Sequence, residues 1–156
     1  FEKITYTEAI ELLQEKGIEI EWGEDMGAEE ERELTMDFNA PFFVTKYPKH
    51  AKAFYMKENP DDPETVLAAD LLAPEGYGEI IGGSEREDDL EKLIEMIKWF
   101  GYEPEDYEWY LDLRRYGSVP HSGFGMGLER YLNWLGSLSH IRKATLMPRT
   151  PSRIYP

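Results

Sequence analysis

The chain has 156 residues and carries 17 Lys and Arg against 32 Asp and Glu, a formal net charge of −15. This length fits one domain with a sizeable core. No apolar run approaches the roughly 18 residues that a membrane span requires, so we expect no membrane association. The sequence contains no cysteine, which excludes disulfides and thiolate metal sites and predicts an intracellular, cytoplasmic protein.

The charges are distributed unevenly along the chain. Residues 1–112 carry 10 Lys and Arg against 31 Asp and Glu, whereas residues 113–156 carry 7 against Glu129 alone. A basic end on an acidic body predicts an anion near that end. A solvated acidic surface with a few scattered arginines fits the same charges equally well.

The first third of the chain predicts two helices. Thr5 and Glu8 form a capping-box pattern, and Gly17 ends the helix that follows. The acidic, turn-rich stretch 21–33 is expected to be solvated. It leads into a short helix that ends near Phe38.

The rest of the chain predicts four strands and two helices, followed by a strand, a helix and a last strand. Strands are expected at 41–45, 53–56, 66–72, 79–84, 122–126 and 143–147, and helices at 90–100, 105–115 and 128–138. The short turn at 74–78 joins two strands that should pair antiparallel. The predicted fold class is therefore α+β, a mostly antiparallel sheet flanked by helices.

Two carboxylates, Asp70 and Glu79, lie in the two strands that the turn joins. Asp70 has apolar neighbours, among which a carboxylate is costly unless it is paired or bound to a metal. A tight hairpin that brings both side chains to one face would make a hard oxygen site for Mg²⁺ on nucleotide phosphates. Arg86 follows, where it could bind a carboxylate or amide oxygen. The alternative is a structural ion pair between Asp70 and Arg86.

A glycine-rich ribbon, GFGMGLER, covers residues 123–130. Alternating glycines in a strand leave a surface without side chains on which a planar base can lie. The spacing differs from the dinucleotide fingerprint, and no βαβ pattern surrounds it. Arg130 falls in the first turn of a helix, where the helix dipole disfavours a cation, so an anion such as a terminal phosphate is expected there. The alternative is a strand packed on a helix beside a surface arginine.

Three further features are open to a structural interpretation. Residues 47–55 mix aromatic and basic side chains and could line an amino-acid pocket, although core with a polar edge is the commoner meaning. His50, His121 and His140 share no metal-ligand spacing, so we interpret them as non-catalytic. The four tryptophans are expected to serve packing.

Together these motifs resemble class II aminoacyl-tRNA synthetases of the aspartyl, asparaginyl and lysyl subgroup, subgroup b. Residues 123–130 match the family's third signature motif, and the likeness extends from 4–10 to 148–156. Three segments are similar to asparaginyl rather than aspartyl members, at 78–84, 110–121 and 148–151. The resemblance implies a partial class II synthetase-like catalytic core, in which residues 1–156 form the C-terminal portion of a single catalytic domain.

The resemblance implies an ATP site and a metal site. Asp70 and Glu79 match the acidic pair that holds catalytic Mg²⁺ against the ATP phosphates. Arg130 matches the arginine that grips the γ-phosphate. Gly125 and Gly127 match the floor beneath adenine. Glu79 thus belongs to both the metal site and the ATP site.

The resemblance also implies an amino-acid site and a reaction. Arg86 matches the arginine that reads the side chain of the bound amino acid, and Tyr55 resembles a pocket tyrosine. Asparagine would attack the α-phosphate of ATP, and asparaginyl-adenylate would pass its amino acid to tRNA(Asn). Arg86 and Arg130 are then the catalytic candidates, acting by position and charge without a covalent intermediate.

Three parts of the family's proteins are absent from the 156 residues: the second motif, the anticodon-binding OB domain and the first motif. The first motif builds the dimer interface. We therefore expect an asparagine-activating ligase that is longer than this chain, forms a homodimer through a segment outside it and is inactive as this segment alone. Aspartyl members often have a serine at the position of Gly82. Asparaginyl members have a glycine there, as this chain does. The alternatives are a synthetase-like asparagine synthetase acting on aspartate and a non-catalytic synthetase-derived binding module.

Overall fold

A computed structural model describes residues 1–155. Within these residues the strands are β1 Glu2–Thr5, β2 Phe42–Thr45, β3 Glu58–Asn59, β4 Asp62–Val66, β5 Ala68–Ala73, β6 Gly78–Glu85 and β7 Ser122–Met126. The α-helices are α1 Tyr6–Glu15, α2 Ala28–Thr35, α3 Leu90–Trp99, α4 Glu108–Arg115 and α5 Leu128–Leu135. Short 3-10 helices occur at Lys49–Ala51, Pro104–Tyr107 and Ile141–Ala144. None of the helices in the described range is long and apolar enough to cross a bilayer.

The main sheet has five strands in the order β1-β2-β5-β6-β7. β1 and β2 pair in parallel, whereas the three remaining neighbour pairs are antiparallel. β3 and β4 form a separate antiparallel hairpin. The prediction of an α+β fold with a mostly antiparallel sheet is confirmed.

Helix α1 begins and ends as its sequence predicts. The Thr5 hydroxyl accepts a hydrogen bond from the Glu8 N–H at 3.2 Å, and the Glu8 carboxylate accepts one from the Thr5 N–H at 2.6 Å. Gly17 follows the helix with φ of +82°, a left-handed conformation that glycine adopts without strain. The buried face of the helix consists of Tyr6, Ala9, Ile10 and Leu13.

Helices pack on both faces of the sheet. On one face, α1 and Leu34 of α2 cover Phe42, Val44 and Leu72. Tyr131 and Trp134 of α5 cover the other face, where they pack against a cluster that includes Ile80. A third cluster lies between α3 and α4, outside the sheet. Asp70 is a strand residue on the α1 side, because it pairs with Val44.

Several predicted elements differ from the observed ones. Residues 53–56 form no strand but a turn with one isolated bridge, because their aromatic side chains pack against α4 and its preceding turn. Within the described range no strand occurs at 143–147, whose first two residues belong to the 3-10 helix Ile141–Ala144. Strand β1 was not predicted, since two of its four residues are exposed, two are half-buried and they carry no alternating apolar pattern.

Other predictions hold with shifted boundaries. The run 66–72 is divided at Leu67, whose N–H donates to the carbonyl of Lys57 at 2.8 Å. The predicted helix 105–115 consists of a 3-10 turn followed by α4. The last predicted helix ends at Leu135, where Gly136 begins a turn.

Candidate functional site

A β-bulge in β6 places Asp70 and Glu79 on the same face of the sheet. Asp70 pairs with Gly82 in the ladder between β5 and β6. Two residues further along β5, Leu72 pairs with Glu79, so Ile80 is an extra residue in β6. Glu79 and Gly82 are three positions apart, so in a regular strand they would face opposite sides of the sheet. The extra residue Ile80 brings the Glu79 side chain to the face of Gly82 and Asp70.

Gly82 shows how closely the two carboxylates converge. A Cβ at Gly82 would lie 2.7 Å from Glu79 Oε1 and 3.3 Å from Asp70 Oδ1. Both oxygens therefore face the same point of the backbone. A side chain at this position would displace them.

The two carboxylates line a polar pocket of about 180 Å³. The lining residues are Asp25, Met26, Glu31, Tyr47, Ala51, Lys52, Asp70 and Glu79. Four carboxylates face one ammonium group, so the pocket is negatively charged overall and attracts cations.

Lys52 is the immediate partner of Asp70. Its Nζ donates to Asp70 Oδ2 at 2.6 Å and lies 3.8 Å from the centroid of the Tyr47 ring. The alternative ion pair between Asp70 and Arg86 is therefore wrong. Burial raises the pKa of the Tyr47 hydroxyl, and the negative charge of Asp70 raises it further, so the hydroxyl stays protonated.

Glu31 joins the pocket from α2, although the sequence predicted a solvated face for this stretch. Its Oε2 accepts a hydrogen bond from the Glu79 N–H at 2.9 Å and lies 3.9 Å from Arg130 Nη1. Burial raises the pKa of Glu31, and the charge of Glu79 adds to the effect. The signal in the sequence was its spacing from the core residue Leu34, because residues three apart share a helix face.

The glycine ribbon lies on the same face of the sheet as Asp70. In the ladder between β6 and β7, Gly82 pairs with Gly125 and Ser84 pairs with Gly123. A Cβ at Gly125 would meet no atom of the described residues within 4 Å. The ribbon is therefore open here, and the alternative that its glycines serve packing on a helix is wrong for Gly125.

Gly127 has a different position from Gly125. It is the N-cap of α5, and its N–H donates to the Ile80 carbonyl at 3.0 Å. The Cβ, Cγ and Cδ of Arg130 lie 3.2–3.4 Å from the point that a Cβ at Gly127 would occupy. Gly127 thus makes room for the arginine stem beside the ribbon.

Arg130 reaches from the first turn of α5 to the carboxylate pocket. Its Nη1 donates to the Glu79 carbonyl at 3.0 Å, and half of its side chain remains exposed. The Nε and Nη2 atoms form no hydrogen bond within residues 1–155. Two nitrogen donors of this guanidinium are therefore available for a ligand.

Arg86 and Tyr55 also lie together. The guanidinium carbon of Arg86 is 4.8 Å from the Tyr55 ring centroid, and its Nη1 donates to Ser84 Oγ. A Cβ at Gly123 would lie 2.9 Å from Arg86 Nη2, so the arginine extends across the ribbon. The adjoining pocket, about 370 Å³ in volume, is lined by Phe54, Tyr55, Arg86, Tyr107, Trp109 and Tyr110.

Arg114 supports this aromatic pocket and was not predicted. It is buried, its Nε donates to the Glu87 carbonyl at 2.9 Å and its Nη2 donates to the Tyr110 hydroxyl at 3.0 Å. The guanidinium also lies over the Tyr110 ring. Its spacing from the buried Leu111, three residues earlier in α4, was the available signal, whereas the Glu87 carbonyl that it binds lies 27 positions away.

The opposite face of β6 and β7 carries a wider depression of about 740 Å³. Its lining is mostly apolar and includes Phe43, Ile81 and Phe124. The convergent charged groups lie on the other face, so the smaller polar pocket is the stronger candidate for chemistry.

The histidines and tryptophans lie in different surroundings. His50, His121 and His140 each contact nearby backbone atoms. Among residues 1–155 no group of three or more His, Cys, Asp or Glu is arranged to hold a metal. Trp134 packs against the sheet as expected, whereas Trp109 is 69% exposed at the aromatic pocket, so its assignment to packing was wrong.

Comparison with known proteins places these residues in a family. The family model described as tRNA synthetases class II (D, K and N) matches residues 1–151. Asparagine–tRNA ligases of Thermococcus gammatolerans and Thermococcus kodakarensis are each 70% identical to the chain over all 156 residues. The chain spans 36% of the length of each of these relatives.

Solved structures show the same relationship. The asparaginyl-tRNA synthetase of Pyrococcus horikoshii complexed with asparaginyl-adenylate is 66% identical, with a TM-score of 0.96 over the whole chain and 36% of that protein. An aspartyl tRNA synthetase of Entamoeba histolytica is 33% identical, with a TM-score of 0.91 over the whole chain and 33% of that protein. The family match, together with these likenesses in sequence and fold, shows that the chain belongs to the class II tRNA synthetases of the D, K and N group.

Proposed function

We propose that the chain is part of the single catalytic domain of a subgroup b class II synthetase, an asparagine–tRNA ligase. One observation carries the proposal. The two carboxylates, the arginine of α5 and the open glycine ribbon lie around one face of the sheet, where a bound ATP could contact all of them. The 70% identity to asparagine–tRNA ligases supports asparagine as the amino acid.

ATP would bind with its adenine on the ribbon and its phosphates toward α5. Gly125 offers a flat surface without side chains for the base. The free guanidinium nitrogens of Arg130 suit the γ-phosphate, since a charge-assisted hydrogen bond to phosphate is strong and directional. Gly127 permits this placement, because the stem of Arg130 passes over it.

The donor set of the polar pocket fits Mg²⁺. Asp70 and Glu79 present hard oxygen atoms toward Gly82, and Mg²⁺ commonly takes one or two carboxylates and completes its shell with phosphate oxygens and water. When bound, the ion would neutralise phosphate charge as pyrophosphate departs. Asp70 and Glu79 would hold it, with Lys52 adjusting its contact to Asp70.

Asparagine would bind against the Arg86 guanidinium, beside the part of the ribbon that this side chain crosses. The Arg86 guanidinium suits the side-chain carbonyl of asparagine, and the Tyr55 ring beneath it limits the positions it can adopt. The substrate carboxylate would then attack the α-phosphate in line. Catalysis here is by positioning and charge, which needs no covalent bond to the protein.

The full-length protein would transfer the activated asparagine to tRNA(Asn) in the cytoplasm. We propose a homodimer whose interface lies outside residues 1–156. We also propose that residues 1–156 alone do not catalyse aminoacylation, because they contain no counterpart of the family's second motif. The retained Asp70, Glu79 and Arg130 argue against a non-catalytic binding module.

Asparagine-dependent exchange of pyrophosphate into ATP, measured on the full-length protein, tests the proposal. We expect exchange with asparagine and none with aspartate. Free asparagine formed from aspartate, ATP and ammonia would instead indicate an asparagine synthetase. Absence of nucleotide binding would contradict both enzymatic assignments.

A further inference from the structure

We propose that Glu31 is a positioning residue that holds Arg130 and the Glu79 backbone in place for the triphosphate. The inference rests on the proposed function, because it assigns Glu31 a task in the same ATP site. It concerns a residue of α2, far in sequence from the strand and helix that carry the motifs.

The β5–β6 hairpin is built to receive the Glu31 carboxylate. Oε2 lies 2.9 Å from the Glu79 nitrogen, whose N–H it accepts. Gly78, directly before Glu79, has φ of +73°, and a Cβ there would lie 2.7 Å from Glu31 Oε2. Glycine at this position therefore permits both the backbone conformation and the close approach of the carboxylate.

Glu79 depends on side chains from two other elements for its backbone partners. The ladder with β7 extends in this direction to the pair Ile81 and Met126, so Glu79 lies beyond it. Its N–H is donated to Glu31, and its carbonyl accepts from Arg130 Nη1 at 3.0 Å. These two contacts fix the residue next to the bulge, where the ladder is interrupted.

Glu31 also offsets the charge of Arg130 in an unfavourable place. Arg130 lies in the first turn of α5, where the helix dipole disfavours a cation. The Glu31 carboxylate is 3.9 Å from Nη1, and its side chain is only 15% exposed, whereas that of Arg130 is 50% exposed, so solvent screens the pair in part. The carboxylate thus engages Nη1 and leaves Nε and Nη2 for a ligand.

The variant Glu31→Gln separates charge from shape. A glutamine oxygen can still accept the Glu79 N–H, but it no longer attracts the guanidinium. In pyrophosphate exchange by the full-length protein, we expect the KM for ATP to rise about 10-fold, the loss of one charge-assisted contact, with the KM for asparagine unchanged. Glu29→Gln, an exposed residue of the same helix, is the matched control and should leave both constants unchanged.

A double-mutant cycle tests whether Glu31 acts through Arg130. In an Arg130→Gln background, Glu31→Gln should add less than about 2-fold, because the group it positions is already gone. Additive effects, or equal rises in both KM values, would overturn the proposal. If Glu31→Gln does not fold, Glu31→Asp, which keeps the charge but shortens the side chain, should raise the KM for ATP alone, and an unchanged KM would overturn it.

The outcome for Glu31 is distinguishable from the outcome for the proposed function. A wild-type protein without asparagine-dependent exchange would refute the assigned reaction. A wild-type protein that exchanges normally while Glu31→Gln behaves like Glu29→Gln would refute the positioning role alone. Thermal unfolding of each variant separates a general loss of structure from a change confined to the ATP constant.

Discussion

The ammonium group of Lys52 lies 2.6 Å from Asp70 Oδ2, so the chain itself supplies a cation to the carboxylate pair. The Asp70 side chain is 6% exposed and that of Lys52 is 17% exposed. Removing one partner of an ion pair this buried costs much free energy, because the remaining partner keeps its charge without contact with water. This relationship links the stability of the fold to the chemistry of the site.

The first prediction concerns that ion pair. Lys52→Met should lower the free energy of unfolding of the metal-free, full-length protein by about 3 kcal/mol, since it leaves Asp70 buried and unpaired. Adding Mg²⁺ should restore part of the loss. Denaturant unfolding measures both effects, with the exposed Lys98→Met of α3 as control. A Lys52→Met variant as stable as the control would contradict the buried pair.

The second prediction concerns the space between the carboxylates. Gly82→Ala should raise the Mg²⁺ concentration needed for half-maximal exchange, because the new methyl group displaces Glu79 Oε1 and Asp70 Oδ1. The displaced atoms end flexible side chains, so we expect little change in unfolding temperature. A Mg²⁺ titration of the wild type and the variant checks this. An unchanged Mg²⁺ requirement would show that the metal lies elsewhere.

The third prediction concerns the ribbon. Gly125→Val should fold normally, because a Cβ at Gly125 meets no described atom within 4 Å and φ is not positive. Its side chain would occupy the surface proposed for adenine, so ATP should bind at least about 10-fold more weakly, the loss expected for a displaced stacking surface. Calorimetric titration with ATP measures the loss. Normal ATP affinity in this variant would contradict the proposed placement of adenine on the ribbon.

The fourth prediction concerns pH. Burial raises the pKa of Glu79, to which the charge of Asp70 adds, and burial also raises the pKa of Glu31. The folded state therefore holds these protons more tightly than the unfolded chain, where carboxyl groups titrate near 4.5. The stability that they contribute is present below that value and is lost as pH rises through the raised pKa.

Two measurements test this predicted loss of stability with rising pH. Without metal, Glu79→Gln should flatten the fall in stability just above pH 4.5, as measured by unfolding at several pH values. Mg²⁺ affinity should rise over the same range, since protons and the cation compete for the same oxygens. A stability that increases with pH there, and that Glu79→Gln leaves unchanged, would contradict the raised pKa.

The sequence predicted the site as a set of motifs, but it did not predict how they are joined. Asp70 and Glu79 were identified on either side of a turn, yet their shared face depends on a bulge at Ile80 that residue spacing does not reveal. The glycine ribbon was predicted at its observed strand, because Gly spacing and the following helix are local signals. Local sequence patterns therefore identified the candidate residues of the site.

The features of the site that the sequence did not predict are contacts between residues distant in the sequence. Lys52 lies 18 positions from Asp70, and Glu31 lies 48 positions from Glu79. A charge pattern cannot distinguish a solvated glutamate from one turned inward on the same helix, so Glu31 was assigned to solvent. The aromatic run at 53–56 was predicted to be a strand, but Phe54 and Tyr55 line the aromatic pocket instead.

The most direct test of a shared triphosphate site compares ATP with AMP. Calorimetric titration of the full-length protein should show that Arg130→Ala weakens ATP binding at least about 10-fold, because a charge-assisted phosphate contact is lost. The same variant should bind AMP, which has no γ-phosphate, like the wild type. Equal losses for both nucleotides, or no loss for either, would contradict the assignment of Arg130 to the terminal phosphate.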